Sequence, residues 1–352
     1  MQHRENNLDA LRLAAALTVV VGHAWPLTGL TDGAPRVAGI LAAHLAVFTF
    51  FSISGYLIAT SWRQSPRAVP FLSRRVARIF PALFAVVLIT QLVVGPLLSR
   101  LPASAYFASP ATWRYLSGLV LAPSYALPGV FSDNPTTAVN GSLWTLGPEF
   151  ICYLIVLVVG LSTLVMRNGV RWVRPLVFAA LAISLGLVFW LTPDKPTKDA
   201  VGAMAFFAIG AVCAYLPITR LPLWALVPVA LVWLASGTVS RDVGVTVGWI
   251  AVPILVLSLG LRSAPIVRRV GRFGDFSYGT YLWAFPVQQA VVLLVPKMPL
   301  VLDILVVVAI TGALAFASWH LIEHRALAQV RTFWAARKPA SRDLAAASVP
   351  HQ

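Results

Sequence analysis

Ten apolar runs, most of them near twenty residues, divide this chain, and about 20 apolar residues is what a helix needs to cross a bilayer. They lie at about 9–29, 37–61, 79–98, 142–165, 175–192, 199–216, 222–237, 243–261, 276–296 and 300–321. Lipid offers no hydrogen bonds, so such runs pair their backbone groups internally as helices. The composition points the same way. Of 352 residues, 59% are hydrophobic and only 11% charged, against about 25% charged in a soluble domain; mean hydropathy is +0.81. The fold expected is all-α: a polytopic membrane helix bundle of about ten transmembrane helices. Residues 1–325 form one domain, and 326–352 form a basic cytoplasmic tail, partly disordered. Pro228, Pro253 and Pro286 fall inside three runs, where neighbouring helices make kinks tolerable.

The net charge is +15. The basic residues sit in short connections without an aromatic-interleaved stripe, so membrane topology explains them and no nucleic-acid partner is expected. With the N-terminus cytoplasmic, inner segments hold 19 of the 27 Lys and Arg and outer segments hold 7. That bias fits cytoplasmic N- and C-termini and an even number of spans. The first run has acidic as well as basic flanking residues and no clear cleavage site, so it reads as a retained span. Cys152 and Cys213 lie inside apolar runs and suggest neither a disulfide framework nor a metal site. The outer segment 99–141 is long enough to be a lid or binding loop, and 113–127 is a candidate to dip back into the membrane.

Ionisable residues within the runs are costly and usually functional. Arg12 and His23 are eleven residues apart, which returns them to within about 20° of one helix face, roughly 16 Å apart along the axis. Glu149 lies about 10 Å below the outer end of the fourth run. His23 and His44 fall at similar depth by the same count, so the three are expected to share a polar chamber. A carboxylate beside His23 would fix its tautomer and raise its basicity. On the inner side, "FLSRRVARIFP" places Arg74, Arg75 and Arg78 at the membrane face, as a positive-inside marker, an anionic-lipid contact or a phosphate clamp. Ser52, Ser54 and Gly55 in "FFSISGYLI" suit close helix packing. No G-x-S-x-G elbow, H-E-x-x-H or phosphate-binding loop is present.

Taken in order, these segments resemble the acyltransferase-3 family of bacterial membrane O-acyltransferases. "LDALRLAAALTVVVGH" is similar to its opening Arg and His with ten residues between, here Arg12 and His23. "FFSISGYLI" is similar to its FFxxSGxL stretch. "FLSRRVARIFP" resembles its R-x-x-R loop, at Arg75 and Arg78, and "GSLWTLGPEFICY" resembles its WxLxxE motif, at Trp144 and Glu149. "GDFSYGTYLWAFPVQQ", which contains Tyr281, and "HLIEH" resemble its closing segments. The resemblance covers residues 8 to about 325. Ala284 stands where the family often has a second His, Ala46 replaces a usual Gly, and Arg325 stands where Pro commonly follows Glu323. Ala284 leaves His23 as the main catalytic candidate.

The resemblance implies a membrane O-acyltransferase in the bacterial cytoplasmic (inner) membrane. It would move an acyl group, often acetyl, from cytoplasmic acyl-CoA to a hydroxyl of a cell-envelope saccharide. A small-molecule acceptor such as a macrolide is the alternative within the family. His23 and Glu149 would be catalytic. Arg12, Arg74, Arg75 and Arg78 would bind the donor; His44, Trp144, Ser54 and Tyr281 would line the acceptor site or pocket. Acyl-CoA is a co-substrate, with no bound cofactor and no metal expected; membrane lipids are the other partner. Intramembrane His, Glu and Arg also suit a proton-coupled transporter, but no internal repeat or paired broken helices are visible.

Overall fold

The computed structural model describes residues 6–30, 32–164, 170–218 and 221–337. Each of the ten apolar runs is a helix: α1 (Leu8–Leu27), α2 (Ala42–Gln64), α3 (Ala68–Ile89), α4 (Leu146–Leu164), α5 (Val170–Leu191), α6 (Lys195–Cys213), α7 (Leu226–Ser236), α8 (Arg241–Gly260), α9 (Ser277–Leu294) and α10 (Leu300–Ser318). Beyond α10 lies α11 (His324–Ala336). Among the described residues the only strands are a short antiparallel pair, Arg36–Val37 and Ile40–Leu41.

Among the described residues, seven helices are long and apolar enough to cross a membrane: Leu8–Leu27, Ala42–Gln64, Ala68–Leu98, Gly141–Leu164, Trp172–Leu191, Arg241–Gly260 and Leu300–Ala336. The other three expected runs fall short for visible reasons. Helix α7 is short. Helix α6 opens with Lys195, Lys198 and Asp199, and α9 carries Ser277, Thr280, Gln288 and Gln289. Most of α9 is buried, so it meets protein rather than lipid, and its polar side chains find partners there. Gln288 donates to Asp303 on α10, and Gln289 donates to the carbonyls of Thr136 and Ala138.

Two boundaries differ from the sequence expectation. The inner segment placed at 62–78 is mostly helix, with only three residues between α2 and α3. The helix continues through "VPFLSRRVARIF", where Phe71, Ala77 and Ile79 are buried and Arg78 pairs with Asp275 and Glu323. The last span does not end near 321. Leu300–Ala336 is one continuous helix, passing through a π-turn at Trp319–Glu323. It therefore runs through the division placed at 325, and residues 338–352 lie outside the described residues.

Helix α2 is central, packing on α1, α4, α6 and α8. Its contact with α6 depends on two glycines. A Cβ on Gly55 would fall on the Phe207 carbonyl, and one on Gly210 on the Ser52 carbonyl. These atoms belong to backbone and cannot swing aside. Valine at Gly210 is therefore expected to cost about 1–3 kcal/mol by overpacking, read as a lower thermal midpoint in detergent. Alanine at Gly312, where nothing lies within 4 Å, should leave that midpoint unchanged or raised. The segment 99–141 is also packed. It folds into Ala103–Ala108, Pro110–Arg114 and a 3-10 turn at Tyr115–Val120. Tyr106 and Tyr115 are buried, and Tyr106 donates to the Gln91 carbonyl at 2.8 Å.

Candidate functional site

A cavity of about 980 Å³ runs up the inside of the bundle. Along α2 it is lined from Gln64 to Val47, which is roughly 25 Å of helix. The mouth lies at the end of the bundle where α1 begins, beside Asn6, Asp9, Arg74, Arg272, His324 and Arg331. The far end is walled by Val47, Phe50, Thr145, Leu146 and Tyr281. Six arginines line the shaft against three carboxylates, Asp9, Glu149 and Asp275, so it favours an anionic guest.

Two of the expected donor-binding arginines are held by carboxylates. Arg12 meets Asp275 at 2.6 Å, Arg78 meets the same Asp275 oxygen at 2.8 Å, and Arg78 reaches Glu323 at 3.4 Å. Ser318 donates to Glu323 at 2.9 Å, and the Ser277 hydroxyl donates to Asp275. This network ties α1, α3, the start of α9 and the π-turn after α10. Burial opposes ionisation of Asp275, but Arg12, Arg78 and Ser277 override it and hold the carboxyl well below its ordinary range. Gly274 makes that placement possible. Its φ of +126° suits glycine, and its backbone passes so close to the Trp319 indole that a Cβ would collide. Arg75 lies over the Phe71 ring at 5.8 Å. Among the described residues, two buried guanidinium nitrogens of Arg74 have no hydrogen-bond partner.

Deeper in, Glu149 accepts from Ser54 at 3.0 Å and from the Tyr153 hydroxyl at 2.5 Å. Tyr281 closes the shaft. Its hydroxyl donates to the Ser142 carbonyl and pairs with Thr145, both at 2.8 Å, and its ring meets Phe50 edge-on at 6.1 Å.

His23 and His44 lie beyond this end. A Cβ on Gly22 would sit 2.7 Å from the Ala43 Cβ, so α1 and α2 touch here, and the next residue of each is a histidine. The two imidazoles interact electrostatically. His23 packs edge-on to Phe285 at 5.3 Å. Among the described residues, the buried Nδ1 of each histidine has no hydrogen-bond partner. His44 also senses Asp199, Arg241, Lys195 and Arg36. His44 is three residues from Val47, and Phe285 is four from Tyr281, so this layer lies about one helical turn past the shaft's end.

Seven of the ten expected site residues thus line one cavity: Arg12, Ser54, Arg74, Arg75, Arg78, Glu149 and Tyr281. His23, His44 and Trp144 do not. The chamber expected for His23, His44 and Glu149 is two places. No hydrogen bond or ion pair joins His23 to Glu149 among the described residues. Their depths differ: Gly141 already packs against Phe285 at the histidine level, and Glu149 accepts from Ser54, ten residues or about 15 Å along α2 from His44. Trp144 sits in the 3-10 turn Gly141–Thr145, packed against the core. Sequence reasoning missed Asp275, Tyr153 and the cavity-lining Tyr278, which donates to the Ile79 carbonyl at 2.9 Å. Asp275 had a signal, because Arg12 inside the first run needs a counter-charge and the chain has only 12 acidic residues.

These features define a polytopic helical membrane protein with a deep basic shaft and a histidine layer past its end. Residues 5–322 match the family model described as an acyltransferase domain, and the chain belongs to this acyltransferase family. It is 32% identical over 340 residues to an O-acetyl transferase of Shigella phage Sf6, covering 92% of this chain and 97% of that protein. It is 27% identical over 374 residues to nodulation protein 10 of Rhizobium leguminosarum bv. viciae, covering 96% of each. No solved structure matches it.

Proposed function

We propose that this acyltransferase takes an acyl group, in the first instance acetyl, from cytoplasmic acyl-CoA and passes it to a hydroxyl of a cell-envelope saccharide. The ten helices are ten spans of the bacterial inner membrane, with both termini cytoplasmic. The observation that carries the reading is the shaft, which begins at a basic mouth and stops one helical turn short of two adjacent histidines. Donor phosphates sit among the mouth arginines. The pantetheine arm follows α2 inward and brings the thioester to the Tyr281 end. The acceptor arrives from the opposite side of the membrane, at the histidine layer.

In the transfer step the acceptor oxygen attacks the thioester carbonyl. A carbon–oxygen bond forms and the carbon–sulfur bond breaks. Nε2 or Nδ1 of His23 takes the hydroxyl proton, and the thiolate leaves toward the cytoplasm. His44 tunes His23 across the α1–α2 contact. Glu149 stays in the shaft as a positioning group, fixed by Ser54 and Tyr153. The side chain of Phe285 must shift for the thioester to reach His23, because that ring stands against the imidazole.

The test is reconstitution in vesicles with labelled acetyl-CoA outside and envelope glycan from a strain lacking the gene inside. Label should appear on the glycan, released by mild base as expected for an ester. Label that stays on coenzyme A would exclude the assignment, and ester formed only on an added small hydroxylated molecule would change the acceptor class.

A further inference from the structure

Helix α11 falls largely in the segment expected as a basic cytoplasmic tail, and one of its faces walls the mouth of the shaft. His320, His324, Leu327 and Arg331 line the cavity at spacings of four, three and four, one stripe of a helix. The helix is pinned in place, since the Trp334 indole donates to Ser73 on α3 at 2.8 Å. Ser73 adjoins Arg74. Among the described residues, the buried guanidinium nitrogens of Arg74 lack hydrogen-bond partners, and Arg331 hydrogen-bonds only to the Leu327 carbonyl of its own helix. There is no carboxylate between His324 and Arg337. Arg12 and Arg78, by contrast, already hold Asp275 and Glu323. Among the described residues, two cations with no ion-paired carboxylate therefore face the same opening, which Asp9 also lines, on two helices tied by a hydrogen bond. Arg325 and Phe333 occupy the opposite face of α11, which a lipid surface would meet.

We propose that Arg331 on α11 and Arg74 on α3 form a phosphate subsite for the donor at the mouth of the shaft, with α11 as a wall of the donor site. Arg12 and Arg78 are the scaffold behind it. The inference rests on the donor reading above, and it adds that the last helix selects for the phosphate-bearing end of the donor.

The experiment measures CoA binding to the full chain in phosphatidylcholine nanodiscs. Arg331→Gln should weaken CoA about tenfold, the size of one lost charge-assisted hydrogen bond. Arg331→Lys should recover most of that, and Arg325→Gln should bind as wild type. Transfer from acetyl-pantetheine, which lacks every phosphate, should be unchanged in Arg331→Gln. Dephospho-CoA identifies the phosphate: a penalty that persists assigns the diphosphate, and one that vanishes assigns the 3′-phosphate. Wild-type CoA affinity in Arg331→Gln, or a penalty seen only with anionic lipid, overturns the subsite. Wild-type protein that binds no CoA removes the donor reading itself, a result separate from the variant's.

Discussion

Alanine at His23 is expected to lower acyl transfer by about 10²–10⁴-fold, the range general-base catalysis supplies, while CoA binds as in the wild type. The two readouts separate because His23 does not line the donor cavity. Among the described residues, only its ring contact with Phe285 and its closeness to His44 connect it to the rest of the site. A merely structural histidine would behave otherwise. Its loss would shift the melting midpoint along with activity, and an aromatic replacement would restore both. Phenylalanine at His23 preserves the edge-on packing and removes the proton acceptor. It should therefore match wild-type stability and CoA affinity and share the catalytic defect of alanine. Wild-type turnover in either variant at equal expression would end the assignment of His23 as base. Alanine at His44 should slow transfer less, since that residue acts through its neighbour.

The periodic part of the fold was legible because lipid imposes a strict rule. A span must be helical and near twenty residues, so the apolar runs predict where helices lie to within a few residues at most ends. Two errors came from the places where that rule relaxes. The arginine-rich start of α3 reads as a loop on hydropathy, yet it remains helical because Asp275 and Glu323 neutralise Arg78. The step from α10 to α11 reads as an end on hydropathy, yet a π-turn passes it without a break. Within the site, counting residues along each helix gave depth, and depth was sound for His23 and His44. It failed for Glu149 because the fourth run does not begin at the surface: Gly141 packs against Phe285 beside His23, so Glu149 lies roughly 12 Å deeper, and no single helix's sequence contains that offset. Asp275 was hidden for a related reason: its role depends on Arg12 and Arg78, which are 263 and 197 residues away.

Asparagine at Asp275 should be among the most destabilising single polar changes in the chain. One oxygen of that carboxylate holds both Arg12 and Arg78, at 19% and 15% exposure. Removing its charge leaves two largely desolvated guanidiniums with little in return. Breaking a buried pair costs about 3–5 kcal/mol. Because Asp275 is still 18% exposed, and Arg78 keeps Glu323, the expected cost is near the low end, about 3 kcal/mol. Asn at Asp133 provides the control: its pair with Arg100 is 67% and 47% exposed, and such pairs contribute roughly 0–1 kcal/mol. Pairwise coupling is tested by adding Arg12→Met to Asp275→Asn. With both partners gone no orphan charge remains at Arg12, so the double variant should be less destabilised than the two single effects combined. The pH dependence follows in sign. The folded carboxyl is held below its unfolded value, so its contribution is complete above the unfolded value of about 3.9 and fades as pH falls through the folded one. The melting difference between wild type and Asp275→Asn should therefore be flat from about pH 5 to 8 and shrink only in strong acid. A difference that disappears near neutrality, or strict additivity in the double variant, would show that Asp275 does not hold the two arginines together.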